Sequence, residues 1–476
     1  MPSAWASWRI WGNEAIITRR RERWQMGRKI DMTGGSFALA IIRFAFPLML
    51  MSMLQIFFAA CDDMLILGLF VGSQALAAVG ATTYIVNLFI NGFAGLAVGV
   101  NVVVAQAIGA KRDETASKAV HTAIASSLVL GLLLIAVGEG LGRFCLEALD
   151  TPADIIDTST MYLRIYFLST PASLLFNSAC AVMRAEGDSS SPFRYMTVQG
   201  ILDIVLCSLF ALAFDLGVAG VGIGTVLSQY AGAALSVLHL RRLDDCCNLS
   251  LRKLAINRPI FTRILKIGVP SGLNNMAFSF SNMQIQGAIN AFGSAAVAGC
   301  SVSTTMENFI YAGTNSIMQA CISFTGQNVG AQKLDNVRTI VRWCLIDTCI
   351  VGTVLGGLFY FLGYPLLPFF LDDASIPYAM SRNLVAMLPY ALCGVQEVFS
   401  GVQRGLGKGL APTVVTLLGI CVFRVIWVAT AFSAVPTIEM LFLCYPVSWI
   451  MTAVAHYICY RKELSAMRRR LATATK

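Results

Sequence analysis

Charge is scarce in this 476-residue chain. Asp, Glu, Lys and Arg together make up 13% of it, against about 25% in an ordinary soluble domain. Hydrophobic residues reach 57% and the mean hydropathy is +0.69, which excludes a soluble globule. Histidine is rarer still: His121, His239 and His456 include no i, i+4 pair, so a helical zinc motif is excluded. No alternating strand pattern recurs, which excludes a β-barrel. The fourteen cysteines lie scattered without metal-ligand spacing, Cys246-Cys247 being a lone adjacent pair in a polar linker, and read as small buried hydrophobes. No nucleophile–base or metal constellation is visible, so the chain is expected to be neither an enzyme nor a metalloprotein and to need no cofactor. Residues 1–30 lack the apolar core and cleavage site of a signal peptide. They carry Arg19, Arg20, Arg21, Arg23, Arg28 and Lys29 with Trp5, Trp8, Trp11 and Trp24: an interfacial segment, or a preface to a start at Met26 or Met32.

Twelve long apolar runs are present, at approximately 42–70, 77–109, 117–141, 158–184, 193–214, 217–240, 263–291, 296–327, 338–363, 378–403, 413–434 and 437–460. Crossing a bilayer takes about 20 apolar residues, and only helices satisfy their own backbone there, so an all-α membrane protein of twelve transmembrane helices is predicted. With the N-terminus inside, one set of connections holds Lys111, Arg112, Arg184, Arg194, the run Arg241 to Arg263, Lys333, Arg338, Arg404, Lys408 and the tail Arg461 to Arg470. The other set holds Asp150, Asp154, Asp157, Asp215, Asp372, Asp373 and Glu439, with Arg143 and Arg382 as its basic residues. That asymmetry places both termini in the cytoplasm, in a plasma or inner membrane. It assigns the net charge of +9 to topology and lipid contact, not to nucleic acid.

The chain also repeats itself. Gln106-Ala-Ile-Gly109-Ala is echoed by Gln327-Asn-Val-Gly330-Ala. At almost the same offset, Arg184-Ala-Glu-Gly187 before Pro192 is echoed by Arg404-Gly-Leu-Gly407 before Pro412, and Pro47 has a counterpart at Pro270. Two homologous six-helix lobes follow, an N-lobe at 36–240 and a C-lobe at 263–460. The basic segment 1–35, the linker 241–262 and the tail 461–476 all lie on one side. Six crossings per half relate the lobes by a pseudo-two-fold along the membrane normal, an arrangement typical of transporters that open alternately to either side. No partner subunit is needed to form such a pathway, and a monomer among membrane lipids is expected.

Charged groups inside a bilayer cost about 3 kcal/mol each on insertion scales, so each needs a reason. Asp62 and Asp63 fall late in the first run, Asp203 in the fifth, Glu307 in the eighth and Glu397 in the tenth. Burial disfavours the charged form of a carboxyl, so such a group can load and release a proton; the same oxygens also suit Na⁺. Asp63 and Asp203 are the first candidates for cation coupling. Glu307 and Glu397, with Gln55, Asn87 and Tyr84, are secondary candidates for coupling or substrate binding. Gln55, Asn87 and Asn101 would give the N-lobe a polar pocket. Phe57, Phe58, Tyr84, Phe89 and Phe93 would line an aromatic one or serve as ordinary core and lipid contacts. Pro47 weakens the first helix near the acid pair and is the candidate bend. Arg43, Arg164 and Arg424 read as snorkelling residues, Arg424 alternatively as the partner of a C-lobe acid.

The run Asp63–Gly68 followed by Ala75–Gly80, the paired Gln-x-x-Gly-Ala motifs, Arg-x-x-Gly before Pro, and Leu216–Val226 before Gln229 resemble, in order and over about 36–462, the multidrug and toxic compound extrusion (MATE) transporters, their DinF-like branch most of all. The resemblance implies an efflux antiporter for organic cations or other amphipathic compounds, driven by H⁺ in preference to Na⁺, with Asp63 as a coupling residue. In the fifth helix the DinF-like pattern of Asn and, one turn later, Asp is replaced by Asp203 and Cys207, which moves the carboxylate by about 5.4 Å. A lipid-linked sugar flippase of the wider superfamily is the alternative; it calls for a basic cavity, and few Arg or Lys lie within the runs. Asp63→Asn is expected to abolish drug efflux while leaving the protein inserted, a loss to be read as drug sensitivity in cells making normal amounts of it.

Overall fold

A computed structural model describes residues 29–61, 66–68, 71–149 and 151–474, and these are helical almost throughout. The first half holds α1 (Phe37–Ala60), α2 (Ser73–Gly109), α3 (Asp113–Ala148), α4 (Ile156–Phe167), α5 (Thr170–Glu186), α6 (Ser190–Ala213) and α7 (Gly217–Arg241). The second half holds α8 (Arg258–Asn290), α9 (Ser294–Gly330), α10 (Leu334–Phe369), α11 (Ile376–Met387), α12 (Ala391–Gly405), α13 (Leu410–Phe432) and α14 (Ile438–Ala474).

Fourteen segments make twelve crossings, because the fourth crossing of each half is broken. The axes of α4 and α5 differ by 44°, those of α11 and α12 by 43°. Pro171 sits in the first turn of α5 and Pro389 in the break before α12; each removes a backbone donor and crowds the preceding turn, a usual cause of a sharp kink. By length and apolarity alone, eight single helices and the two bent pairs qualify as spans among the described residues. The remaining two, α8 and α9, fall short because they carry Asn274, Asn275 and Asn282, and Glu307, Asn308, Asn315 and Gln319. Those are the polar walls of the central cavity described below.

The repeated motifs meet in space. α2 and α9 end in the same turn: Lys111 (φ 53°) and Gln332 (φ 59°) take the left-handed conformation. Arg112 N donates to Ala107 O at 3.1 Å and Lys333 N to Asn328 O at 2.9 Å, bonds of the kind that close a helix C-terminus. The two ends cross so closely that a methyl on Gly109 would stand 1.9 Å from the Gln327 carbonyl oxygen, and one on Gly330 2.1 Å from that of Gln106. Gln106 Nε2 donates across the interface to Gly405 O at 2.8 Å, and Gln327 Nε2 donates back to Ala185 O at 2.7 Å. Each Gln-x-x-Gly motif thus binds the opposite lobe's Arg-x-x-Gly segment. Asn101 Nδ2 adds a bond to Ser323 Oγ at 2.9 Å.

Residues 29–33 strap this basic end, the end that carries the Lys111–Arg112 and Lys333 turns. Ile30 N donates to Gly187 O of the N-lobe at 3.1 Å, while Met32 O accepts from Asn328 at 2.6 Å and Thr33 O from Lys333 at 3.1 Å, both in the C-lobe. Lys29 Nζ pairs with Glu186 at 3.0 Å and with Asp245 of the linker. Burial pulls the Lys29 pKa down, but the Glu186 and Asp245 carboxylates overcome this and hold it above the ordinary lysine value. A raised pKa means a contribution complete below the unfolded pKa and lost only as pH rises through the folded one, so Lys29 itself stays charged near neutrality. Gly109→Val and Gly330→Val are each expected to lower stability by about 1–3 kcal/mol through overpacking. The readout is the thermal unfolding midpoint in detergent, against Gly357→Val, where nothing lies within 4 Å of the added atom.

Candidate functional site

A cavity of about 540 Å³ lies on the C-lobe side of the lobe interface, within the range that holds a drug-sized ligand. α9 supplies Asn308, Tyr311, Asn315 and Gln319 at helical three- and four-residue spacing, which puts them on one face. α8 adds Asn274, Asn275 and Asn282, α12 adds Glu397 and Arg404 two turns apart, α13 adds Arg424, and α14 adds Tyr445 and Trp449. Gln55 of α1 reaches it from the N-lobe, and Glu307 completes the polar wall.

The two acids are held differently. Glu307 is paired with Arg382 of α11 at 2.6 Å; Arg382 also donates to Cys300 O at 3.3 Å and stands 5.6 Å and 5.9 Å from the ring centres of Phe442 and Tyr445. Glu397, only 4% exposed, accepts from Gln396 Nε2 at 2.8 Å. Arg424 lies 4.1 Å from the centre of the Tyr445 ring and donates to Asn282 Oδ1 at 3.2 Å and Ser448 Oγ at 3.4 Å. Its partners are therefore amide, hydroxyl and ring, not a C-lobe carboxylate. Arg404 is 2% exposed, and its Nε and Nη2 have no hydrogen-bond partner.

Three of these basic residues stand where loop counting does not put them. Arg404 counts as cytoplasmic, Arg382 as belonging to the opposite surface and Arg424 as snorkelling; all three are buried in the C-lobe. The lobe is consequently richer in basic charge than the sequence predicts. Asp347 of α10 is a further buried acid, absent from the sequence candidates: it is 6% exposed and its Oδ2 is unpartnered. Its only signal in the sequence is a lone charge within Leu345-Ile346-Asp347-Thr348-Cys349-Ile350.

The N-lobe is organised otherwise. Asp203 of α6 is partly buried and accepts from Ser228 Oγ of α7 at 3.0 Å and from Cys207 Sγ at 3.4 Å. Asp62 and Asp63 lie outside the described residues, as does the Tyr84 side chain. Asn87 is exposed on α2 and Asn101 is committed to Ser323 across the interface. With Gln55 facing the C-lobe cavity, these three amides do not gather into an N-lobe pocket. Phe89 and Phe93, with Tyr166 and Phe167, line a space of only about 30 Å³. Phe58 packs on Gly200, and Phe57 is 54% exposed. Phe57, Phe58, Phe89 and Phe93 are thus core and surface contacts in this conformation. Pro47 lies inside α1.

The family model MatE matches residues 47–209 and 270–430, one stretch in each lobe. The chain belongs to the MatE family. MatE proteins are membrane transporters, not enzymes, and a twelve-crossing, two-lobed helical bundle is their fold. Among relatives, the probable multidrug resistance protein YoeA of Bacillus subtilis (strain 168) is 26% identical over 458 residues, covering 94% of this chain and 96% of YoeA. The multidrug export protein MepA of Staphylococcus aureus is 22% identical over 395 residues, covering 82% of this chain and 87% of MepA. A solved structure described as the outward-facing conformation of a multidrug resistance MATE family transporter of the MOP superfamily superposes with a TM-score of 0.85 at 20% identity, covering 92% of this chain and 98% of that one.

Removing one member of a buried ion pair leaves an uncompensated charge, at a cost of about 3–5 kcal/mol. Glu307→Gln is therefore expected to lower the unfolding midpoint far more than Glu397→Gln, whose carboxylate has no basic group within ion-pairing distance among the described residues. Thermal gel-filtration profiles of the two variants check this; equal shifts would refute the assignment of Glu307 as the partner Arg382 requires.

Proposed function

We propose that this protein exports amphipathic small molecules, organic cations among them, from the cytoplasm across the plasma or inner membrane, in exchange for H⁺ in preference to Na⁺. The observation that carries the reading is the central cavity, which is drug-sized, walled by amides, aromatic rings and two carboxylates, and set where two homologous lobes meet. The relatives named for multidrug resistance and export support the same cargo class.

The basic end faces the cytoplasm in this reading, since basic connections are retained on that side. The present conformation is then the one sealed toward the cytoplasm by the crossing of Gly109 and Gly330, the reciprocal Gln106 and Gln327 bonds and the strap at residues 29–33. Alternating access requires these contacts to part while others form at the opposite end. A ligand drives that exchange only through a difference in its affinity for the two states.

Coupling is assigned to Asp63 and Asp203 in the N-lobe. Asp203 already accepts two bonds from side chains on α6 and α7, so its protonation would remove acceptor capacity and loosen that packing. Glu307 is engaged by Arg382 in an ion pair, which leaves Glu397 as the acid of the cavity wall available to cargo or to a coupling ion. The transporter acts as a monomer, with H⁺ or Na⁺ as its only required ion.

The test uses the full chain in liposomes, with a proton gradient and, separately, a sodium gradient, following a fluorescent organic cation. Dye movement under the proton gradient, lost in Asp63→Asn and reduced about tenfold or more in Asp203→Asn, is the expected result. Movement under sodium alone that survives Asp63→Asn would transfer coupling to the C-lobe acids. No movement under either gradient with correctly folded protein would refute export.

A further inference from the structure

The lining of the central cavity carries two carboxylates and two guanidiniums, and Arg382, paired with Glu307 beside it, leaves one positive charge in excess. Glu307 is satisfied by Arg382 and Glu397 by Gln396. Arg404 and Arg424 line the same cavity, and among the described residues neither forms an ion pair with a carboxylate. Arg424 is fixed by Asn282, Ser448 and Tyr445. Arg404 is not: it is only 2% exposed, with Nε and Nη2 unpartnered. A guanidinium withdrawn from water without hydrogen bonds is costly, and one that lines a drug-sized cavity has the geometry to be completed by a ligand. Its planar fork of N–H donors matches a carboxylate or phosphate with two parallel bonds.

We propose that the cavity recognises an acidic group on its cargo, with Arg404 as the principal ligand and Arg424 as a second positive charge, so that the preferred amphiphile carries a carboxylate as well as a cationic centre. The inference rests on the export reading for its word cargo, though not for the binding site itself. The cationic half of such a molecule meets Glu397, two turns before Arg404 on the same face of α12, and the rings of Tyr311 and Trp449, which attract cations. The site is thus amphoteric, and both halves of its charge pattern come from one lobe.

The experiment compares rhodamine B, which bears a free carboxylate beside its cationic ring system, with its ethyl ester, which keeps the cation alone. Binding to the detergent-purified full chain is read by fluorescence anisotropy at neutral pH, with no gradient imposed. Rhodamine B is expected to bind about tenfold more tightly than the ester, the scale of one charge-assisted hydrogen-bonded contact. Arg404→Gln is expected to erase that preference by weakening rhodamine B relative to the ester, with an unchanged gel-filtration profile as the control for folding; Arg404→Lys should keep part of it. Equal affinity for acid and ester in the wild type, or a preference that survives Arg404→Gln, overturns the proposal. Displacement of rhodamine B by phosphatidylglycerol but not by phosphatidylcholine would assign the guanidinium to a lipid headgroup and overturn the cargo assignment. Ester transport in liposomes without acid preference would refute this inference and leave export standing. Acid preference without any transport would do the reverse.

Discussion

Everything else in this structure depends on two helix ends that cross without side chains between them. Where α2 meets α9, Gly109 lies against the Gln327 backbone and Gly330 against that of Gln106, and no methyl group fits in either place. That proximity brings each glutamine within reach of the opposite lobe's α5 or α12 terminus, whose last carbonyls have no partner in their own helix. The glutamines therefore do two things at once: they satisfy helix ends and they join the lobes. In lipid, where hydrophobic association gives little net attraction between helices, small residues and such polar bonds are what holds a bundle in one arrangement.

The repeat in the sequence announces this pairing without showing its form. A nearly constant offset between the motif pairs implies two lobes and an axis between them, and a motif near that axis will meet its own copy. What the offset does not contain is that Gln106 binds Gly405 and Gln327 binds Ala185, because the partner in each bond is the other motif of the other lobe. The bends are legible only in part: Pro171 and Pro389 stand inside apolar runs, yet nothing local separates a proline at a break between helices from one inside a single helix, as Pro47 is in α1. The arginines show the limit most plainly. Counting charges near helix ends treats every basic residue there as solvated, whereas Arg404 lies next to the last residue of α12 and is buried on the cavity wall. Arg382 looks like a loop residue until Glu307, from an earlier crossing of the same lobe, is brought to it. Burial of such groups is a property of tertiary contact, and the linear spacing that reveals a helix face has no knowledge of it.

The two lobes share a frame and divide the chemistry. In the C-lobe, α8 and α9 surrender apolar surface to amides, and the bundle encloses a polar space with Glu307, Glu397, Arg382, Arg404 and Arg424 on or beside it. In the N-lobe, the helix faces are filled by aromatic and aliphatic side chains, and Asp203 sits within a small set of hydroxyl and thiol donors. A symmetric ancestor would have had to choose one of these interiors for both halves. Duplication followed by divergence allows one lobe to enclose a polar cavity and the other to fill its helix faces and keep a hydrogen-bonded acid.

The joint between the lobes has to be energetically modest. The basic end is joined by a short series of hydrogen bonds, each worth about 0.5–1.5 kcal/mol net, and by glycine crossings whose packing is lost when they part. If the seal were much stronger, no ligand could reverse it, since shifting a two-state balance from one extreme to the other takes about 5.5 kcal/mol of differential binding. If it were much weaker, the cavity would open to both sides and a gradient would leak. Two glutamines, an Asn–Ser pair and a short strap act there together with the close packing of α2 on α8, where Gly95 and Gly99 lie against the backbones of Gly268, Gly272 and Ile264. Lys29 ties the strap to Glu186 of the N-lobe and to Asp245 of the linker, while Met32 and Thr33 tie it to the C-lobe, so the strap spans the same boundary as the glutamines.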